Sequence, residues 1–111
     1  MIVTSASMLI YHILLPETWG RVRGDSFYEA ESLAGEGFIH CSYADQLEGV
    51  LARYYSDVAE VVVLTIDPAK ISSPLVVEPS TNNELYPHIY GPIDLDAVVE
   101  AVTRPVGSVP A

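Results

Sequence analysis

Three histidines lie inside short apolar runs that read as β-strands. They are His12 in Ile10-Tyr11-His12-Ile13, His40 in Gly37-Phe38-Ile39-His40-Cys41-Ser42, and His88 in Pro87-His88-Ile89-Tyr90-Gly91. An imidazole buried in a strand needs a hydrogen-bond partner. Three of them, far apart in sequence, predict strands that converge on one polar pocket. His40 and Ser42 alternate onto one strand face, and Ser42 stands where a helix begins, a natural place to hold an anion or a polar ligand group. The plainer alternative is that Ser42 caps that helix and His40 bonds a backbone carbonyl. His88 and Tyr90 share a face in the same way, followed by a Gly91-Pro92 turn. His12, in line with Ile10 and Leu14, reads on its own as a core histidine with its hydrogen bonds satisfied.

Other chemistries find less footing. No His, Cys or carboxylate pair has the local spacing of a helical or knuckle metal motif, so no metal ligands are assigned. Cys41 falls on the strand face opposite His40 and Ser42, which predicts a buried, inert thiol and disfavours a Cys–His nucleophile pair. Glycine-rich phosphate loops are absent. Tyr54-Tyr55 reads as packing rather than as a stacking platform.

The elements that must position these residues follow from local pattern. Leu9 to Leu14 is a β-compatible run stopped by Pro16. Glu17 to Arg23 reads as a short helix, with proline in its first turn, acid first and arginines last. Phe27 to Leu33, which contains Tyr28, is ambiguous between a short strand and a turn. Ser42 is expected as the N-cap of a helix from about Tyr43 to Tyr55, with Asp45 at its third position. Leu47, Val50, Leu51 and Tyr54 form its predicted buried stripe. Val61 to Ile66, unbroken in its apolarity, is expected to be a central strand covered on both faces. Leu75 to Glu78, His88 to Ile93 and Ala97 to Val102 complete about six strands to two helices, an α+β pattern. Pro79 to Asn83 is a turn-rich loop. The expected organisation is an N-terminal tail over 1–8, a single domain over 9–104 and a C-terminal tail over 105–111.

Charge narrows the partners. Fifteen acids face five bases, a formal net charge of −10 over 111 residues. Nucleic acids and anionic membranes are bound through lysine and arginine, so neither is an expected partner, and a small-molecule ligand is. A single cysteine suits a reducing, cytoplasmic setting. No stretch reaches the roughly 20 apolar residues of a membrane span, and the first seven residues lack the features of a secretory signal. Oligomeric state is not legible.

The ordered set Ile10-Tyr11-His12-Ile13, Trp19, Ser32-Leu33, Glu36-Gly37-Phe38-Ile39-His40-Cys41-Ser42, Gln46, Glu78 and Pro87-His88-Ile89-Tyr90-Gly91 resembles the small bacterial domain-of-unknown-function family 952. The resemblance runs from about Leu9 to Val102 and departs at Tyr86, where that family usually has phenylalanine. The family in turn looks like a minimal member of the ADP-ribosyltransferase-like superfamily. That implies an α+β fold with a split, mainly antiparallel β-sheet and two helices. It also implies NAD, ADP-ribose or a related nucleotide as ligand, with NAD the implied cofactor.

In that superfamily a first-strand histidine resembles His12, and a strand bearing tyrosine or histidine beside serine resembles His40-Cys41-Ser42. A third-strand glutamate or related polar residue completes the site. Glu78, Glu84 and His88 are all candidates for it, and none matches by motif. The expected site is therefore Glu78 and Glu84 as catalytic acids, with His12, Tyr28, His40, Ser42, His88 and Tyr90 around the ligand. A carboxylate near the ribose would stabilise an oxocarbenium-like species, while histidine and serine donors fix the geometry. Phosphates need cations, and here the chain is poor. Arg53 lies about 15 Å along its helix from the N-terminus, so Arg21 and Arg23 are the better candidates. A non-enzymatic domain that binds another small polar ligand or a protein partner is the alternative.

Overall fold

The computed structural model describes residues 8–106. Strand β1 (Ile10–Leu14) carries the first buried run, and Leu15-Pro16 turns the chain into helix α1 (Pro16–Val22), with proline in the first turn, Glu17 beside it and Arg21 in the last. Strand β2 (Phe27–Tyr28) leads into α2 (Glu31–Glu36), which ends at Gly37. Gly37 takes the left-handed conformation, φ 90°, and returns its N–H to the Leu33 carbonyl, a role that favours glycine. β3 (Ile39–His40) follows, then a single 3-10 turn and α3 (Leu47–Tyr54). The chain continues through β4 (Glu60–Ile66), β5 (Leu75–Pro79), β6 (Leu85–Ile89), β7 (Ile93–Asp94) and β8 (Val98–Pro105).

All strand pairs are antiparallel and form three small sheets, ordered β1-β4-β8, β2-β7 and β3-β6-β5. The first and third are stitched where Tyr11 and Ser42 exchange both backbone hydrogen bonds at 2.8 Å. β4 is the central strand anticipated from its sequence, and its two faces divide by parity. Val62, Leu64 and Ile66 join the larger core with Ile39, Ile89 and Ile93. Val61 and Val63 turn to the smaller core that α3 covers through Leu51. Burying both faces accounts for the unbroken apolar run. The architecture is α+β with mostly antiparallel strands, as expected.

Several local expectations need correction. The described residues hold eight strands and three α-helices rather than about six and two. The additional helix is α2, in the stretch read as strand and turn. Ser42 is not the N-cap: its backbone is taken by the Tyr11 bridge, so the helical segment starts after Tyr43, whose N–H donates to Gln46 Oε1 at 2.9 Å. Asp45 therefore plays no part in a capping box with Ser42. Tyr54 leaves the predicted stripe and is 58% exposed, its hydroxyl on Thr81 Oγ1 at 2.7 Å. The tails fall largely outside the described residues, but β8 continues to Pro105 and Val106 is buried in the smaller core. No helix among the described residues is long and apolar enough to cross a membrane.

Candidate functional site

His12 sits where β1 passes the end of β3. Its Nδ1–H donates to the His40 carbonyl at 2.7 Å, which leaves Nε2 to accept from the Tyr28 hydroxyl at 3.2 Å. Both ring nitrogens are satisfied by a neutral imidazole, and the residue is only 6% exposed. Burial therefore pushes its pKa from 6.5 to about 4, against the smaller opposing pull of the His40 carbonyl. Tyr28 is held un-ionised as well, with burial raising its hydroxyl to about 12. His12 is thus both a satisfied buried histidine and part of a polar wall.

That wall belongs to a groove. One cavity of about 520 Å³ runs past His12, Tyr28 and Arg21, and a second of about 580 Å³ runs past Glu36, Thr81 and Tyr86. They share His40, Ser42, Val50, Tyr54 and Tyr55, so they are two ends of one depression. Each volume falls within the usual range for small-molecule sites, roughly 300 to 1,000 Å³. His40 stands at the shared section with its side chain half exposed, and its Nε2–H donates to Glu36 Oε1 at 2.9 Å. Arg53 adjoins the wall: it donates to the Tyr86 hydroxyl at 2.9 Å and lies 5.8 Å over the Tyr54 ring.

The predicted site residues separate into two groups. His12, Tyr28, His40 and Ser42 meet at the groove. Glu78, His88 and Tyr90 meet farther along the face of the β3-β6-β5 sheet that also carries His40 and Tyr86, and they line neither cavity. There His88 Nδ1–H donates to Glu78 Oε2 at 2.7 Å, and the Tyr90 hydroxyl donates to the same oxygen. The Tyr90 bond, followed by the His88 bond, holds the Glu78 carboxyl below its ordinary pKa, and the same bond raises Tyr90. Phe38 stacks on His88 with ring centroids 4.2 Å apart and an interplanar angle of 18°. His88 Nε2 is buried without a hydrogen-bond partner. His40 touches both groups, since its ring lies 5.4 Å from that of His88. Glu84 is exposed beside Tyr86 and lines neither cavity.

Cys41 is buried as expected, and burial drives its thiol pKa strongly upward, so it is a poor nucleophile. Beyond Tyr28, the tyrosine content of the groove goes unread in the sequence. Tyr11, Tyr28, Tyr54, Tyr55 and Tyr86 all line it. The exposed position of Tyr54 on an otherwise apolar helix stripe is visible only once the helix is docked. Glu36, inside the Glu36-Gly37-Phe38 motif, was also passed over. It lies four residues before His40, across the Gly37 turn.

No match was found among curated proteins. Among solved structures the fold is similar to the X-ray crystal structure of protein CC0527 from Caulobacter crescentus. The TM-score is 0.77 at 26% sequence identity, covering 86% of this chain and 84% of that one. The solution NMR structure of CC0527 gives a TM-score of 0.72 at the same 26% identity, over 85% and 82%. The model of the family described as protein of unknown function (DUF952) matches residues 13–101, from the end of β1 to the middle of β8, and takes in the groove apart from Tyr11 and His12. With the match spanning most of its length, the chain belongs to the DUF952 family.

Proposed function

We propose that the groove binds a small, polar, ring-bearing molecule of nucleoside size, and that the protein is a binding domain in a reducing, cytoplasmic setting. One observation carries this reading: the buried, neutral His12–Tyr28 pair lines one of two cavities that share His40, Ser42 and Tyr54. Burying an imidazole and a phenol beside a depression, with each bonded to the other, builds a pre-formed polar floor under apolar walls. The resemblance to ADP-ribosyltransferase-like proteins points to NAD, ADP-ribose and their fragments as the class to try first. His12 shapes the floor instead of donating to the ligand, because its one N–H is engaged by the His40 carbonyl.

A second reading, transfer from NAD, draws on one specific feature. Glu36, at one end of the groove, and His40, at its shared section, form a carboxylate–imidazole pair. Glu78, tied to His88 and Tyr90, and Glu84 both stand outside the groove; of the carboxylates that line it, Glu29, Glu31 and Glu36, only Glu36 is paired with His40, so a reaction at this pair would take its carboxylate from Glu36. Glu36→Gln would then abolish nicotinamide release while a binder kept its affinity.

A thermal-shift panel of adenosine, nicotinamide riboside, NAD and ADP-ribose tests the binding reading. At least one member is expected to raise the melting temperature of the wild type. His40→Ala should weaken that ligand about tenfold while changing stability by less than about 0.5 kcal/mol, since the lost side chain is half exposed. A large loss of stability with affinity unchanged would make His40 a structural residue. No stabilisation by any member at about millimolar concentration would overturn the reading.

A further inference from the structure

We propose that the ligand of this groove is a cation, an N-alkylated aromatic ring without phosphate; the inference rests on the binding reading above and names the charge of its ligand. The lining carboxylates are Glu29 and Glu31 at one end and Glu36 at the other. Against these three acids the lining offers one permanently charged cation, Arg21, on the same side as Glu29 and Glu31. The surrounding protein adds to this field, with a net charge of −10. A diphosphate would enter a depression whose nearby charges are mostly of its own sign, while a cation would be drawn in. Arg53, held on the lining residues Tyr86 and Tyr54, adds a second cation beside the groove but does not reverse the balance, since two cations then stand against three carboxylates.

The walls fit the same occupant. Tyrosine rings attract cations through their electron-rich faces, and Tyr54 already carries the Arg53 guanidinium over its ring at 5.8 Å. Tyr55, Tyr11 and Tyr86 bring further phenol rings to the same depression. Neutral His12 matters here too: held un-ionised by burial, it adds no positive charge to the floor on which a cation would rest. Carboxylates at both ends and phenols between them make a complementary surface for a flat, singly positive heterocycle.

Three forms of one molecule test the charge directly: nicotinamide riboside, a cation; its dihydro form, uncharged; and its 5′-phosphate. Titration calorimetry at low salt is expected to show the cation about tenfold tighter than the dihydro form. The 5′-phosphate should bind several-fold more weakly than the riboside. Raising the salt from about 20 to about 200 mM should weaken the cation a few-fold, since screening shortens the reach of the groove's charges. Glu29→Gln combined with Glu31→Gln should erase most of the preference. Equal binding of the charged and uncharged forms, or tighter binding of the 5′-phosphate, would overturn the charge assignment and leave the groove as a binding site. Failure of all three forms to bind would overturn the charge assignment, and the binding reading with it if adenosine, NAD and ADP-ribose also fail.

Discussion

Between pH 6.5 and pH 4 the folded protein is expected to lose about 3 kcal/mol of stability through His12 alone. The folded value of about 4 lies below the ordinary 6.5 because burial disfavours the imidazolium. In that window the unfolded chain takes up a proton that the folded chain refuses, so acid favours unfolding. Each pH unit between the two values is worth about 1.4 kcal/mol, and the loss is complete once the pH has fallen through the folded value. Glu78 and Asp94, whose carboxyls are held below their ordinary values, contribute stability that disappears only below about pH 4.5. The upper part of the window therefore isolates the histidine. Urea denaturation of wild type and His12→Gln at pH 7, pH 5.5 and pH 4.5 reads it out. The wild type should lose stability faster than the variant as the pH falls. Parallel losses would mean that His12 is not held neutral.

His88→Ala is expected to cost about 2 to 4 kcal/mol while leaving ligand affinity within about twofold. The His88 ring is 2% exposed and stacked beneath Phe38, and its Nδ1–H serves Glu78. Truncation removes the stack, opens a cavity and leaves Glu78 with Tyr90 alone. His88→Phe keeps a ring under Phe38 and discards the unpartnered Nε2, so it should recover part of the loss. Denaturant midpoints of the two variants, together with their affinities for whichever panel member binds, check this. A loss of affinity larger than the loss of stability would bring the Glu78–His88–Tyr90 cluster back into the site.

Strand parity explains which parts of the site were legible. Phe38 with His40, and His88 with Tyr90, share faces because alternate residues of a strand do, and the β3–β6 register sets His40 opposite His88. Parity does not say which side of the sheet meets the groove. That is fixed by docking against β1 and α3, and the groove it forms takes in His40 and Tyr86 but stops short of Glu78, His88 and Tyr90 on the same face. The Val61–Ile66 run was legible because burial on both faces leaves no polar positions. α2 was not: Glu31–Glu36 offers one large apolar residue, Leu33, too few for a helical period, and it holds through its neighbours. The helix start at Ser42 was misread for a non-local reason, since the residue that claims its backbone is Tyr11, 31 positions earlier. Tyr54 matched the apolar period of α3 yet lies on the groove rim, because the helix packs through Leu51.

Heteronuclear NMR titration of the isotope-labelled protein with nicotinamide riboside and ADP-ribose tests the central claim most directly. A site in the groove predicts saturable shifts at His12, Ser42 and Tyr54, with Phe38, His88 and Tyr90 nearly still. No response at about millimolar ligand, or shifts confined to the Phe38–His88–Tyr90 cluster, would contradict it.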